Sequence, residues 1–230
     1  MFPAGRGLKK KSMLNDFNNF GFDAIYCINL ERRPDRKEHA IKEFEKAGIT
    51  GYQFYPAVDG VALGLKSPIA RLLPGMIGCY QSHQNILRDS ISKGYKRIAV
   101  FEDDLKVVPG FDQLIHFAFP VIPENWHFAY LGYQEYGGFS NHLKQVNEFW
   151  VVPRAAWGTQ ALMYNTIFSQ EKILSSLDKM EMQIDEQLSQ IILPGSGLNY
   201  YAIFPDVVKQ AFIELGSDVQ DLTTMKHGRH

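Results

Sequence analysis

The chain has 230 residues, 45% hydrophobic and 21% charged, with a formal net charge of −1. That length holds one α/β domain with a sizeable core and falls short of two full domains. The charge balance gives no electrostatic footprint for general nucleic-acid binding, and no stretch approaches the roughly 18 uninterrupted apolar residues of a membrane span.

In chain order, residues 1–20 read as a loose polar arm without the apolar core of a secretory signal. Its Lys9, Lys10 and Lys11 suit a solvated tail or a peripheral contact with an anionic membrane surface. "DAIYCINL" (23–30) is an apolar run of strand length. A helix follows, with Pro34 in its first turn, Ile41, Phe44 and Ala47 on one face, and Gly48 at its end. "YQFYPAVDG" (52–60) predicts a strand and then a turn at Asp59-Gly60. The next helix carries Cys79, His83, Ile86, Leu87 and Ser90 along one stripe and stops near Gly94. "RIAVF" is a strand that runs into Glu102, Asp103 and Asp104.

Beyond it, "FDQLIHFAF" predicts a helix and "HFAYLGY" a strand. "EFWVVPRAAWGTQALMYN" predicts two short strands around a loop. "SQEKILSSLDKM" and "IDEQLSQIIL" predict helices, and "NYYAIFP" a late strand. Strands alternating with helices predict a mostly parallel sheet between helical layers, with ligands bound beyond the carboxyl ends of the strands. The expected organisation is an arm over 1–20, a single domain over 21–220 and a tail over 221–230. Cys27 and Cys79 sit in apolar surroundings, and neither has a second cysteine nearby, which argues against zinc and for a reduced, cytoplasmic setting.

Three adjacent carboxylates repel one another unless water, basic side chains or a metal offset their charge. Glu102 and Asp104 are two apart past a strand, which turns them to the same side, and two hard oxygen donors there suit Mg²⁺ or Mn²⁺. Asp103 would point away, to anchor the turn or meet a ribose hydroxyl. Taken alone, such a triplet also suits a solvated loop. Its neighbours strengthen the metal reading. "INLERRPDR" sets Asn29, Arg32, Arg33, Asp35 and Arg36 after the first strand, where arginines can hold phosphates or pair with Glu31 and Asp35. Asp59 is a candidate ribose or base contact. Gly75 and Gly78 allow close backbone approach to a ligand, and Ser82 and His83 follow.

The ordered set "INLERRPDR", "AVDG", "GMIGCYQSH", "VFEDD", "WGTQALMYN", "IDEQL" and "FPDVVKQ" followed by "SD" resembles the family 25 glycosyltransferases, over about residues 23–218. That family includes enzymes of bacterial lipopolysaccharide synthesis and collagen galactosyltransferases. The resemblance implies a GT-A-type α/β/α sandwich, a nucleotide-sugar donor, usually a UDP-sugar, and a divalent metal held at Glu102 and Asp104. It implies donor-side roles for Asn29, Arg32, Arg36, Asp59, Gly78, Ser82, His83, Asp103, Gly158 and Thr159. Asp35, Leu30 and Cys79 also match its pattern. No third protein ligand for the metal is evident, and His227 and His230 lie past the match.

The family's inverting chemistry implies a base for the acceptor hydroxyl. Asp185 is the candidate, Glu186 its rival, and a helix cap the local alternative for Asp185. The acceptor stays open among a surface glycan, a hydroxylysine-bearing protein and a hydroxymethylated base. A metal-dependent nucleotidyltransferase and a non-catalytic nucleotide- or sugar-binding module are the other readings.

Overall fold

The computed structural model describes residues 16–66, 69, 71–135 and 144–219. Lys9, Lys10, Lys11, His227 and His230 lie outside them. The elements run α1 (Asp16–Asn19), β1 (Ala24–Asn29), α2 (Pro34–Ala47), β2 (Tyr52–Pro56), α3 (Pro74–Ser92), β3 (Ile98–Glu102) and β4 (Leu105–Val107). Then come α4 (Phe111–Ala118), β5 (Phe128–Glu135), β6 (Lys144–Gln145), β7 (Trp150–Val152), β8 (Ala156–Tyr164) and α5 (Ile167–Ser176). The chain continues through α6 (Ile184–Gln187), a π-helical turn (Leu188–Ile192), α7 (Leu193–Gly195), β9 (Tyr200–Ile203), β10 (Val208–Gln210) and α8 (Phe212–Leu215).

Eight strands form one sheet in the order β2-β1-β3-β8-β5-β9-β7-β6, while β4 and β10 pair separately. β2, β1 and β3 are mutually parallel, and β8 runs against both β3 and β5. β9 follows β5 in parallel, and β7 runs against β9. The sheet is therefore mixed but mostly of one direction, with β8 and β7 reversed, in the GT-A-type α/β/α arrangement.

The alternation of apolar residues builds both layers. Ile25, Cys27, Ala99 and Phe101 face a core with Phe44 of α2 and Phe111 and Ile115 of α4. Tyr26, Ile28, Ile98 and Val100 face a second core with Tyr80, Ile86 and Leu87 of α3 and Leu188 beyond α6. Strands covered on both faces need apolar side chains at every position, which is why β1 and β3 read as continuous runs. α2 begins on Pro34 and ends with Gly48 in the left-handed region at φ 65°, as its sequence predicts.

Two expectations need correction. Residues 16–20 belong to the domain and not to an arm: Phe17 is fully buried and packs on Phe101, Phe111 and Phe119. The hydrophobic effect outweighs the polar composition around it. β8 is also not short, because nine residues cross the centre of the sheet.

Candidate functional site

The carboxyl ends of β1, β2, β3 and β5 and the opposed start of β8 meet at one edge of the sheet. A cavity of about 300 Å³ opens there, and a slot of about 70 Å³ adjoins it. The larger cavity is lined by Glu102 at the end of β3, Asp104 in the following turn, Gly158 and Thr159 of β8, and Asp185 of α6. Its charged lining also includes Asp218 and, as its one cation among the described residues, Arg36.

Glu102 is fixed through a single oxygen. Its Oε1 accepts from Thr159 Oγ1 at 2.6 Å and Cys79 Sγ at 3.6 Å, and lies 3.2 Å from His83 Nε2. Burial alone would push its pKa up, but the hydrogen bond and charge of His83, with Thr159 and Cys79, outweigh that and hold it below the usual value. Each of these contacts falls on Oε1, which leaves Oε2 to the cavity.

Asp104 is the opposite case. It lies 3.5 Å from Arg36 Nη2, while its buried Oδ1 has no hydrogen-bond partner among the described residues. Burial, and then the neighbouring charge of Glu102, push its pKa up to about 7 against the pull of Arg36. Two hard carboxylates, one with an orphaned oxygen, in a cavity with a single cation are what Mg²⁺ or Mn²⁺ binds. The residues present fit such an ion.

Asp103 turns away from the larger cavity and is buried in structure. It accepts from Asn29 Nδ2 at 2.7 Å and from Arg36 Nη1 at 2.9 Å, and so ties the ends of β1 and β3 to α2. Asn29, at the end of β1, lines neither cavity; its amide also donates to the Arg33 carbonyl at 3.2 Å.

The arginines give most of their donors to protein groups, although buried Arg36 Nε has no hydrogen-bond partner among the described residues. Arg32 donates to Asp59 at 2.6 Å and Asp218 at 2.7 Å. Arg33 bonds Asp35, Asp218 and, at 2.9 Å, the Leu215 carbonyl. Arg36 adds the Gly216 carbonyl at 2.7 Å and an approach of 3.7 Å to Asp218. The segment after α8 is thus clasped by three guanidinium groups. Arg32, Arg36, Asp59, Ser82 and Asp103 line the slot.

Gly78, Ser82 and His83 lie on α3. A Cβ on Gly78 would stand 2.3 Å from the Val58 carbonyl oxygen, so this glycine lets α3 press against the loop after β2. Ser82 Oγ accepts from Val58 N at 2.9 Å and donates to the Gly78 carbonyl at 2.7 Å, a bond that also holds that loop. His83 is buried and reaches Glu102. Their geometry is that of a framework under the site, and the slot touches only Ser82 of the three.

Asp185 arrives from the far side of the cavity. Its Oδ2 accepts from Gly158 N at 3.1 Å and its Oδ1 from Glu186 N at 2.8 Å. It sits inside α6 and not at the cap position, which Gln183 holds without a side-chain bond. Burial raises its pKa, and the two backbone N–H bonds oppose the rise. Glu186 bonds Gln183 at 3.0 Å and does not line the cavity. The sequence reading missed the contact of Cys79 and His83 with Glu102. The only advance sign was their i, i+4 spacing on one helix face.

Fold and site together define an α/β/α domain with acids gathered at the carboxyl edge of its sheet. Residues 22–178 match the model of "Glycosyltransferase family 25 (LPS biosynthesis protein)". The chain belongs to glycosyltransferase family 25. It is 35% identical over 112 residues to a "Glycosyltransferase 25 family member" of Drosophila melanogaster, covering 42% of this chain and 18% of that protein. It is 32% identical over 110 residues to "Inactive glycosyltransferase 25 family member 3" of Homo sapiens, covering 41% of this chain and 18% of that one. The chain thus spans about a fifth of the length of these relatives. Among solved structures it is similar to a glycosyltransferase involved in glycosylation of the major capsid of PBCV-1, at 10% identity and a TM-score of 0.47 over 78% of this chain and 79% of that one. Among the described residues, no helix is long and apolar enough to cross a membrane.

Proposed function

We propose that this chain is a metal-dependent, inverting glycosyltransferase that moves a hexose or similar sugar from a nucleotide-sugar, a UDP-sugar by family resemblance, to a hydroxyl of a glycan or other acceptor. The observation that carries the reading is the company of Glu102, Asp104 and Asp185, beside the arginine-bound Asp218, in one cavity. Glu102 and Asp104 come from the end of β3, and Asp185 comes from a separate element opposite them. A diphosphate brought against Glu102, Asp104, Asp185 and Asp218 with Arg36 alone would be repelled. Mn²⁺ or Mg²⁺ held by Glu102 and Asp104 would supply the missing positive charge to the leaving diphosphate.

The chain's own residues do the rest. Asp185 accepts the proton of the acceptor hydroxyl as that oxygen forms its bond to the anomeric carbon. The bond from the anomeric carbon to the diphosphate oxygen breaks, and its electron pair leaves with the nucleoside diphosphate. Single displacement inverts the anomeric centre. Gly158 N–H and Glu186 N–H fix the Asp185 carboxylate. Its raised pKa makes it a stronger base than an ordinary aspartate. Arg32, Asp59 and Ser82 form the walls of the slot beside the cavity, a place for the nucleoside end of the donor.

The test is a panel of nucleotide sugars assayed for nucleotide release with and without Mn²⁺, with crude glycan and protein acceptors. Metal-dependent release that requires an acceptor supports transfer. Metal-dependent UDP binding without turnover on any acceptor supports a non-catalytic module instead, a reading favoured by the name of the human relative. Release of pyrophosphate from a sugar phosphate and a nucleoside triphosphate would replace both with nucleotidyl transfer.

A further inference from the structure

Beneath the acidic cavity lies a second set of donor atoms of a different chemical character. Cys79 Sγ, a ring nitrogen of His83 and a Glu102 oxygen all lie within 4.8 Å of one another. Cys79 and His83 are four residues apart on α3, so both project from one face toward the end of β3. Sγ lies 3.6 Å and Nε2 3.2 Å from Glu102 Oε1. A tetrahedral ion bonded at the usual lengths to sulfur, nitrogen and oxygen sets its ligand atoms roughly 3.3–3.5 Å apart. The two separations measured to Glu102 bracket that spacing, and with the whole set inside 4.8 Å the sulfur and the imidazole have at most about an ångström to close.

We propose that Cys79, His83 and Glu102 form a thiolate–imidazole–carboxylate site for a borderline divalent ion of the Zn²⁺ or Co²⁺ class, distinct from the hard-cation site at Glu102 and Asp104. Softness separates the two. Sulfur and imidazole nitrogen select Zn²⁺ and Co²⁺, whereas Mg²⁺ and Mn²⁺ prefer carboxylate and water. Binding releases the Cys79 thiol proton to solvent, and with it the His83 Nε2 proton that otherwise faces Glu102, so that sulfur and nitrogen both offer lone pairs. Ligation through Nε2 puts the remaining ring proton on Nδ1, which has no hydrogen-bond partner among the described residues, a cost that metal binding has to exceed. Thr159 Oγ1, donating to Glu102 at 2.6 Å, orients the carboxylate from outside the ligand set. Cys79 lines both the cavity and the slot, which gives an ion a way in and leaves a fourth position for water. Because Glu102 is common to both sites, Zn²⁺ here competes with Mn²⁺. The proposal does not depend on glycosyl transfer, since binding is read directly.

The experiment titrates the metal-free full chain with Co²⁺ under reducing conditions. The expected result is a thiolate-to-cobalt charge-transfer band in the near ultraviolet, with visible bands of tetrahedral intensity, both displaced by Zn²⁺. Cys79→Ser should abolish the charge-transfer band and weaken Co²⁺ binding at least about 100-fold, the upper end of what losing an outer-shell partner alone costs. Asp104→Asn should leave the band intact. If Cys79→Ser does not fold, Zn²⁺ protection of Cys79 against alkylation in the unmodified chain, located by mass spectrometry, takes its place. A missing band, a band that survives Cys79→Ser, a band lost equally in Asp104→Asn, or an unprotected Cys79 would each overturn the proposal.

Discussion

Two charged regions adjoin one another at the carboxyl edge of the sheet, and they are finished differently. In the arginine clasp, Arg32, Arg33 and Arg36 meet Asp35, Asp59, Asp103 and Asp218, and the guanidinium groups spend most of their donors on protein carboxylates and carbonyls, with Arg36 Nε 3.7 Å from Asp218 and without a hydrogen bond among the described residues. In the acidic wall, Asp104 keeps an orphaned oxygen, Glu102 is held through one oxygen only, and burial raises the pKa of Asp185 against its two backbone N–H bonds. A satisfied buried network stabilises and specifies structure, whereas an unsatisfied one marks where a partner is missing. The clasp is therefore a structural element that also shapes the slot, and the wall is where chemistry is expected.

The largest expected effect comes from breaking the clasp at its buried member. Arg36 and Asp103 are both nearly inaccessible, and removing one leaves the other charged and unpaired. Arg36→Ala should destabilise the fold by about 3–5 kcal/mol in urea unfolding. A loss under about 1 kcal/mol would mean that water relieves the site, and the clasp would no longer count as structure.

Removing the proposed base from the wall should spare the fold and strike turnover. Asp185→Asn should lower kcat by roughly 10²-fold or more while donor affinity holds. Asparagine is isosteric and keeps one oxygen for Gly158 N–H, and it gives up the bond from Glu186 N–H, a cost of about 1 kcal/mol that the fold should survive. Near-normal turnover in the folded variant would reject Asp185, and a collapse confined to Glu186→Gln would move the role to its neighbour. The same raised pKa predicts a falling acid limb of kcat at a pH above the ordinary aspartate range.

Asp104→Asn sharpens the contrast because it should separate function from stability. The folded pKa of Asp104, about 7, lies above its unfolded value, so the folded state prefers the protonated form. Ionised Asp104 therefore costs stability that is absent below the unfolded pKa and fully present above about 7. The metal-free asparagine variant should be more stable than the parent at pH 8, by roughly 1–3 kcal/mol, and no more stable at pH 3. It should also lose Mn²⁺-dependent donor binding, read by titration with UDP. A variant that is destabilised at pH 8 yet still binds UDP with Mn²⁺ would reverse both assignments.

Much of the framework was legible because glycine and proline punctuate it. Pro34 and Gly48 bound α2, Gly94 follows the end of α3, and the continuous apolar runs of β1 and β3 announce strands buried on both faces. The β4–β10 pair was not legible, because each strand has three residues and they join Val107 to Val208 across a hundred positions. The same distance in sequence hid the character of the arginines. Their spacing suited phosphate, but Asp218, some 185 residues on, occupies them first. Asp103 read as either a turn anchor or a ribose contact, and its bond from Asn29, 74 residues earlier, supplies the anchor while the residue still lines the slot. Local pattern reports which side chains share a face. It does not report which opposite charge the fold brings to meet them.

The smallest expected effect tests that point on the exposed rim of the clasp. Arg32 is 43% exposed on its side chain and spans Asp59 and Asp218. An exposed pair contributes about 0–1 kcal/mol, so Arg32→Ala should barely move the thermal midpoint. Its consequence for ligands separates two readings. If Arg32 leaves its carboxylates to hold the donor diphosphate, the variant weakens UDP more than uridine, which has no phosphate to lose. If Asp59 and Asp218 keep it, the two ligands weaken together, through a loosened slot wall. The observed bonds favour the second outcome, with Kd changes for UDP and uridine agreeing within about twofold, a difference of about 0.4 kcal/mol. A selective loss for UDP, measured by calorimetry with Mn²⁺ present, would return Arg32 to the donor and show that the clasp opens when ligand arrives.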